Sequence, residues 1–100
     1  MTEQKYNGWT NHQTWAVKLH WDNNEGDYHE MTRQAKIHKG HGASRGAFAD
    51  YLKDQWEEIF QSVIDGQATE AAKLMVQDVG NGADVDWYEI AHAYYEEVDE

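Results

Sequence analysis

Apolar residues recur along this chain at three- and four-residue intervals, with no alternating run of four or more β-branched residues that would mark a strand. Four polar or glycine-rich breaks divide it, at Asp22 to Gly26, Lys39 to Gly46, Asp65 to Gln67 and Gly80 to Asp84. The first segment pairs Trp15 with Leu19 and Val17 with Trp21, and Thr10 with Gln13 has capping-box spacing, which predicts a helix from about Asn11 to Trp21. The second, Asp27 to His38, sets Tyr28, Met31 and Ala35 on one stripe and leaves Ile37 off it. In the third, Phe48, Leu52, Trp56, Ile59, Phe60 and Val63 fall within about 120° of a helical wheel, and Asp50, Asp54, Glu57, Glu58 and Asp65 within about 100° on the other side. A long helix with one apolar and one acidic face follows. Thr69 to Val79 offers Ala71, Leu74, Met75 and Val79 for a fourth helix. The fifth has the clearest start, an Asp86–Glu89 capping box inside a Val85–Ile90 staple, and runs from Trp87 to about Val98. On its wheel Trp87, Ile90, Ala91, Tyr94 and Val98 share about 100°, and Asp86, Glu89, Glu96, Glu97 and Glu100 share a similar arc. The pattern predicts an all-α fold, a compact bundle of four to five short helices forming one domain over residues 1–100.

Composition changes this picture little. Aromatic residues are 13%, with five Trp and six Tyr, enough apolar surface for a core despite the acidity. The absence of cysteine excludes disulfides and thiolate metal sites. No apolar run approaches the ~18 residues of a membrane span, and MTEQKYNGWTN lacks a signal-peptide core, so a cytoplasmic protein is expected.

Charge changes it more. Residues 1–50 hold six Lys/Arg and six Asp/Glu, and residues 51–100 hold two and thirteen, so the second half carries the whole net charge of -11. Such a domain repels nucleic-acid and membrane phosphates and attracts basic proteins or cations. The expected partner is the basic surface of a host protein, with no nucleic acid or membrane bound directly.

Catalytic candidates are few. The pairs Glu57–Glu58 and Glu96–Glu97 stand on solvated stripes, whereas catalytic carboxylates need surroundings that push their pKa values apart. His12, His20, His29, His38, His41 and His92 form no HExxH motif and no tight cluster with Asp or Glu, so a metal-dependent hydrolase stays a formal option only. The acidic run from Asp22 to Asp27 lacks the alternate ligands and terminal Glu of a calcium loop and reads as a capping turn. Gly40 to Gly46 follows a helix instead of a strand and lacks a Lys-Ser/Thr pair, so it reads as a flexible connection and not a phosphate cradle. Arg33, Lys36, Lys39 and Arg45 around it either balance the acidic half or bind phosphate weakly. No enzyme, cofactor or metal is expected.

The strings YNGWTNHQTWAVKLHWDNNEG and VDWYEIAHAYYEE resemble a family of small proteins of phages, plasmids and other mobile elements with no established activity. The resemblance implies a setting in which small proteins often disarm host defence, and it carries no chemistry. In their own right the strings look structural: Trp9, Trp15, Trp21 and Trp87 supply apolar surface, while Asn7, Thr10, Asn11 and Asp86 suit turns and caps.

The expected function is therefore a non-enzymatic protein-binding factor of anti-restriction or anti-CRISPR type, acting by nucleic-acid mimicry. Asp54, Glu57, Glu58, Asp86, Glu89, Glu96, Glu97 and Glu100 would pair with the Lys and Arg that normally hold phosphates. As a helix, Asp86 to Glu100 spans about 21 Å with a carboxylate every ~4 to 5 Å, against a phosphate every ~3.4 Å of one DNA strand. The competing expectation is a small adaptor anchored by exposed aromatics, Trp9, Trp21, Tyr94 or Tyr95, with acidity serving solubility.

Overall fold

Five side chains each accept an amide hydrogen and so start five helices. The structure, a computed structural model, describes residues 8–80 and 82–98. Asn11 caps α1 (His12–Asn23), Asn24 caps α2 (Glu25–Gly40), Ser44 caps α3 (Arg45–Ile64), Thr69 caps α4 (Glu70–Val79) and Asp86 caps α5 (Trp87–Glu97). There is no strand among the described residues, and the chain is a small all-α bundle.

The helix limits differ from the spacing-based expectation where a neighbour supplies or removes a partner. Asn11 replaces Thr10 as the first cap, because Asn11 Oδ1 takes both the N–H and the hydroxyl of Thr14, at 2.9 and 2.7 Å. Asn24 ends α1 and caps α2 through the Asp27 N–H at 3.1 Å, so the acidic run is a one-residue capping turn and α2 begins earlier, at Glu25. Between α2 and α3 only residues 41–44 remain. Tyr95 donates its hydroxyl to Ala43 O at 2.9 Å, so the expected flexible connection is a short turn fastened to α5.

α5 packs on α1, α2 and α3, and α4 bridges α1 and α3. Trp21, Trp56, Tyr94, Phe48, Leu52, Ile90 and Val17 are the largest fully buried side chains, each worth about 1.5–3 kcal/mol of transfer free energy if apolar. The apolar stripes of α3 and α5 face inward as predicted, with Phe48, Leu52 and Trp56 against a core that includes Ile90, Ala91 and Tyr94. Two other stripes are rotated. In α4, Met75 and Val79 are buried with Ala72 and Val76 half-buried beside them, leaving Ala71 and Leu74 outside. In α1, Val17 and Trp21 are buried but Leu19 is exposed, while Ala16 and Lys18 are both covered because α1 has helices on several sides.

Candidate functional site

The two Trp-bearing strings form one seam between α1 and α5. Asn11 Nδ2 donates to Asp84 O at 2.7 Å, and the Asp86 N–H donates to Thr14 Oγ1 at 2.8 Å. Asp86 Oδ1 accepts the Glu89 N–H at 3.0 Å, which is half of the predicted capping box. The other half is rewired: Glu89 Oε1 reaches across to the Thr10 N–H at 3.0 Å. Trp87 completes the seam, with its ring centroid 6.2 Å from Trp21 and 6.3 Å from Trp56.

Farther along the seam lies a charged cluster that the spacing analysis missed. Lys18 is only 6% exposed, and its Nζ meets Asp22 at 2.5 Å and Glu97 at 2.7 Å, 4.5 Å from the centre of the Tyr94 ring. Tyr94 donates its hydroxyl to Asp22 and Tyr28 donates to Glu97, both at 3.1 Å. Burial by itself lowers the Lys18 pKa, but the hydrogen bonds and charges of Asp22 and Glu97 together outweigh it and hold the ammonium above its ordinary 10.5. Burial and the neighbouring Asp22 push the Tyr94 phenol far up. The cation thus joins α1 to α5, and the Tyr28–Glu97 bond adds α2, around a polar group that the core could not otherwise enclose. Two signals pointed to it in the sequence: Lys18 and Asp22 are one helical turn apart, and Glu97 stands only about 20° from Ile90 on the wheel.

The predicted acidic residues divide accordingly. The Asp86 carboxylate caps its own helix, Glu89 takes the Thr10 N–H just ahead of α1, Glu97 meets Lys18 of α1, and Glu96 pairs with Arg45 at 3.0 Å, at the first residue of α3. Glu100 lies outside the described residues. Asp54, Glu57 and Glu58 are exposed with Asp50 on the outer side of α3, and make no ion pair among the described residues. Arg45 precedes Asp54 by nine residues, about 14 Å of helix, so Glu96 stands away from that face. The basic cluster is partly used within the fold as well, through Arg45–Glu96, Arg33–Glu30 and Lys39 donating to Tyr95 O.

The exposed-aromatic expectation needs correction. Trp21, Tyr94 and Tyr95 are buried and Trp9 is half-buried, because Trp21 and Tyr94 pack into the α1–α5 seam and Tyr95 stacks on Phe48 of α3; among the described Trp, Tyr and Phe residues the exposed one is Tyr88, at 56%. Histidines are also drawn into packing: His38 lies 5.1 Å from both Phe48 and Tyr51, and His20 Nε2 is 2.8 Å from Asp78 Oδ2. Among the described residues no group of three or more His, Asp or Glu is placed to hold a metal ion. Nor is any helix of the described residues long and apolar enough to cross a membrane.

A model for a family of unknown function, DUF7249, matches residues 2–100. The chain belongs to that family. No curated protein and no solved structure matches it. In this DUF7249 protein the two strings are adjacent in space and hydrogen-bonded to each other, which gives them a folding role that needs no ligand. A Glu89→Ala substitution is accordingly expected to cost about 1 kcal/mol by orphaning the Thr10 N–H, whereas Glu89→Gln, which keeps the accepting oxygen, costs less in urea unfolding.

Proposed function

We propose that the protein is a non-enzymatic factor that binds a basic surface of another protein through the outer face of α3. What carries this reading is the set of exposed, unpaired carboxylates at Asp50, Asp54, Glu57 and Glu58, with Lys53 the lone cation among them. Eight residues separate the first from the last, about 12 Å of helix, so a negative charge recurs every ~4 Å on average, near the ~3.4 Å phosphate interval of one DNA strand. A partner that normally grips phosphates with Lys or Arg meets similar charge density there. The net charge of -11 supports the same reading, and resemblance to mobile-element proteins supplies its setting, counter-defence against a nucleic-acid-binding host complex. The α5 carboxylates are left out of this interface, since their neutralisation would disturb the seam before it disturbed any partner.

The adaptor reading keeps one supporting observation. Tyr88 stands exposed at an open cleft lined by Thr10, Asp86, Glu89 and His92, a suitable place for an aromatic contact.

Affinity capture from the natural host, at low and high salt, separates the two. With mimicry, the captured protein is released by salt and by added duplex DNA, and Asp54→Asn/Glu57→Gln/Glu58→Gln weakens capture about tenfold or more while stability shifts by no more than ~0.5 kcal/mol. Capture that resists salt, ignores the triple variant and is lost in Tyr88→Ala would overturn mimicry in favour of the adaptor.

A further inference from the structure

A cavity of ≈ 300 Å³ opens between α1, the first turns of α2 and α4, and the second half of α3. Its size is at the lower end of the ~300–1,000 Å³ typical of small-molecule sites. Ile59, Ala71, Ala72 and Met75 give it an apolar wall, and His20, Asn24, Asp27 and Thr69 a polar edge. Three of those four polar side chains are already occupied. His20 is bonded to Asp78, Asn24 accepts the Asp27 N–H, and Thr69 accepts the Ala72 N–H. The Asp27 carboxylate has no hydrogen-bond partner among the described residues; the residue is exposed at the edge of the cavity, and partial desolvation there raises its pKa above the ordinary 3.8.

We propose that this cavity binds a small amphipathic amine, with its apolar body against Ile59, Ala72 and Met75 and its ammonium group at the Asp27 carboxylate. Among the described residues no Lys or Arg lines the cavity. Two helices begin at it, and each contributes about half a positive charge. Glu25, Asp27 and Glu70 in their first turns exceed that with full negative charges, and Asp78 stands behind His20. The surroundings therefore favour a cation over a neutral or anionic molecule of the same shape. An ammonium group at Asp27 also gives this exposed carboxylate a charged partner, which no described residue supplies.

Titration with n-hexylammonium, n-hexanol and n-hexanoate, followed by calorimetry or amide chemical shifts, tests this on the full chain. The expected result is saturable binding of hexylammonium about tenfold tighter than hexanol, with hexanoate weakest. Its affinity falls as pH drops through the raised Asp27 pKa, because the protonated carboxyl no longer attracts the cation. Asp27→Asn removes the preference for the amine while leaving the N-cap intact, since the capping hydrogen comes from the backbone. Ala71→Trp, at an exposed lining position, blocks all three probes without altering the core. Equal binding of amine and alcohol, undiminished amine binding by Asp27→Asn, or no saturable binding of any probe overturns the proposal.

Discussion

A Lys18→Met variant is expected to lose about 2 kcal/mol and to melt about 10 °C below the parent. Met keeps the length of the stem but leaves Asp22 and Glu97 facing one another without their shared cation. Removing one member of a fully buried ion pair costs about 3–5 kcal/mol. The loss here is smaller because the two carboxylates are 32% and 34% exposed and regain some hydration, whereas the lysine side chain is 8% exposed. Tyr94→Phe removes one hydrogen bond to Asp22 and costs about 1 kcal/mol. The double variant loses less than the sum, since both changes act on the same carboxylate.

The cluster also sets an alkaline limit on stability. Folding raises the pKa of Lys18 above 10.5 and that of Tyr94 above 10.0, so the folded chain keeps protons that the unfolded chain releases. Both contributions are whole below about pH 10 and diminish as pH rises beyond it. Urea unfolding at about pH 8 and about pH 11 should show the parent weakening steeply and Tyr94→Phe less so. A parent equally stable at both values would rule the cluster out as a source of stability.

Gly82→Ala is expected to be costlier, at about 3 kcal/mol, for two separable reasons. Gly82 has φ +84°, in the region where a side chain is strained, and a Cβ there falls far inside contact distance of Trp56 Nε1 and Cδ1. Trp56 is 1% exposed and held between Phe60 and Trp87, so it has little room to yield. Gly42 provides the control: its φ is +82°, yet nothing lies within 4 Å of a Cβ built there. Gly42→Ala should therefore cost only the backbone component, about 1–2 kcal/mol, and leave the near-ultraviolet circular dichroism of the tryptophans unchanged. If the two variants melt together, the close approach of Gly82 to Trp56 does not contribute.

Five helices, the Asp86 cap and the acidic face of α3 were legible because they depend on neighbours three or four residues away. Ser44, Thr69 and Asp86 each bind an amide three residues on, and a capping side chain needs no knowledge of the rest of the chain. The stripe of Phe48, Leu52 and Trp56 likewise fixes its opposite side as the outer one, which is why Asp54, Glu57 and Glu58 are where periodicity put them. The same arithmetic was half right for α4 and α1, placing Met75, Val79, Val17 and Trp21 inside but missing the outward turn of Leu74 and Leu19. A wheel shows which residues are apolar, but α1 has neighbours on several sides, and Leu74 was turned outward once Ala72 and Val76 packed inward.

The α5 carboxylates mark the division most clearly. In sequence Asp86, Glu89, Glu96 and Glu97 make a regular stripe similar to that of α3, and local spacing cannot distinguish a free stripe from one in use. Glu89 finds Thr10 and Glu97 finds Lys18 across 79 residues each, through contacts that exist only after α1 and α5 have docked. The sequence alone therefore determined the helices and the amount of negative charge. Tertiary structure decided which charges remain available to a partner, because a carboxylate's partner depends on what folding brings beside it, and periodicity records only the direction in which its side chain leaves the helix.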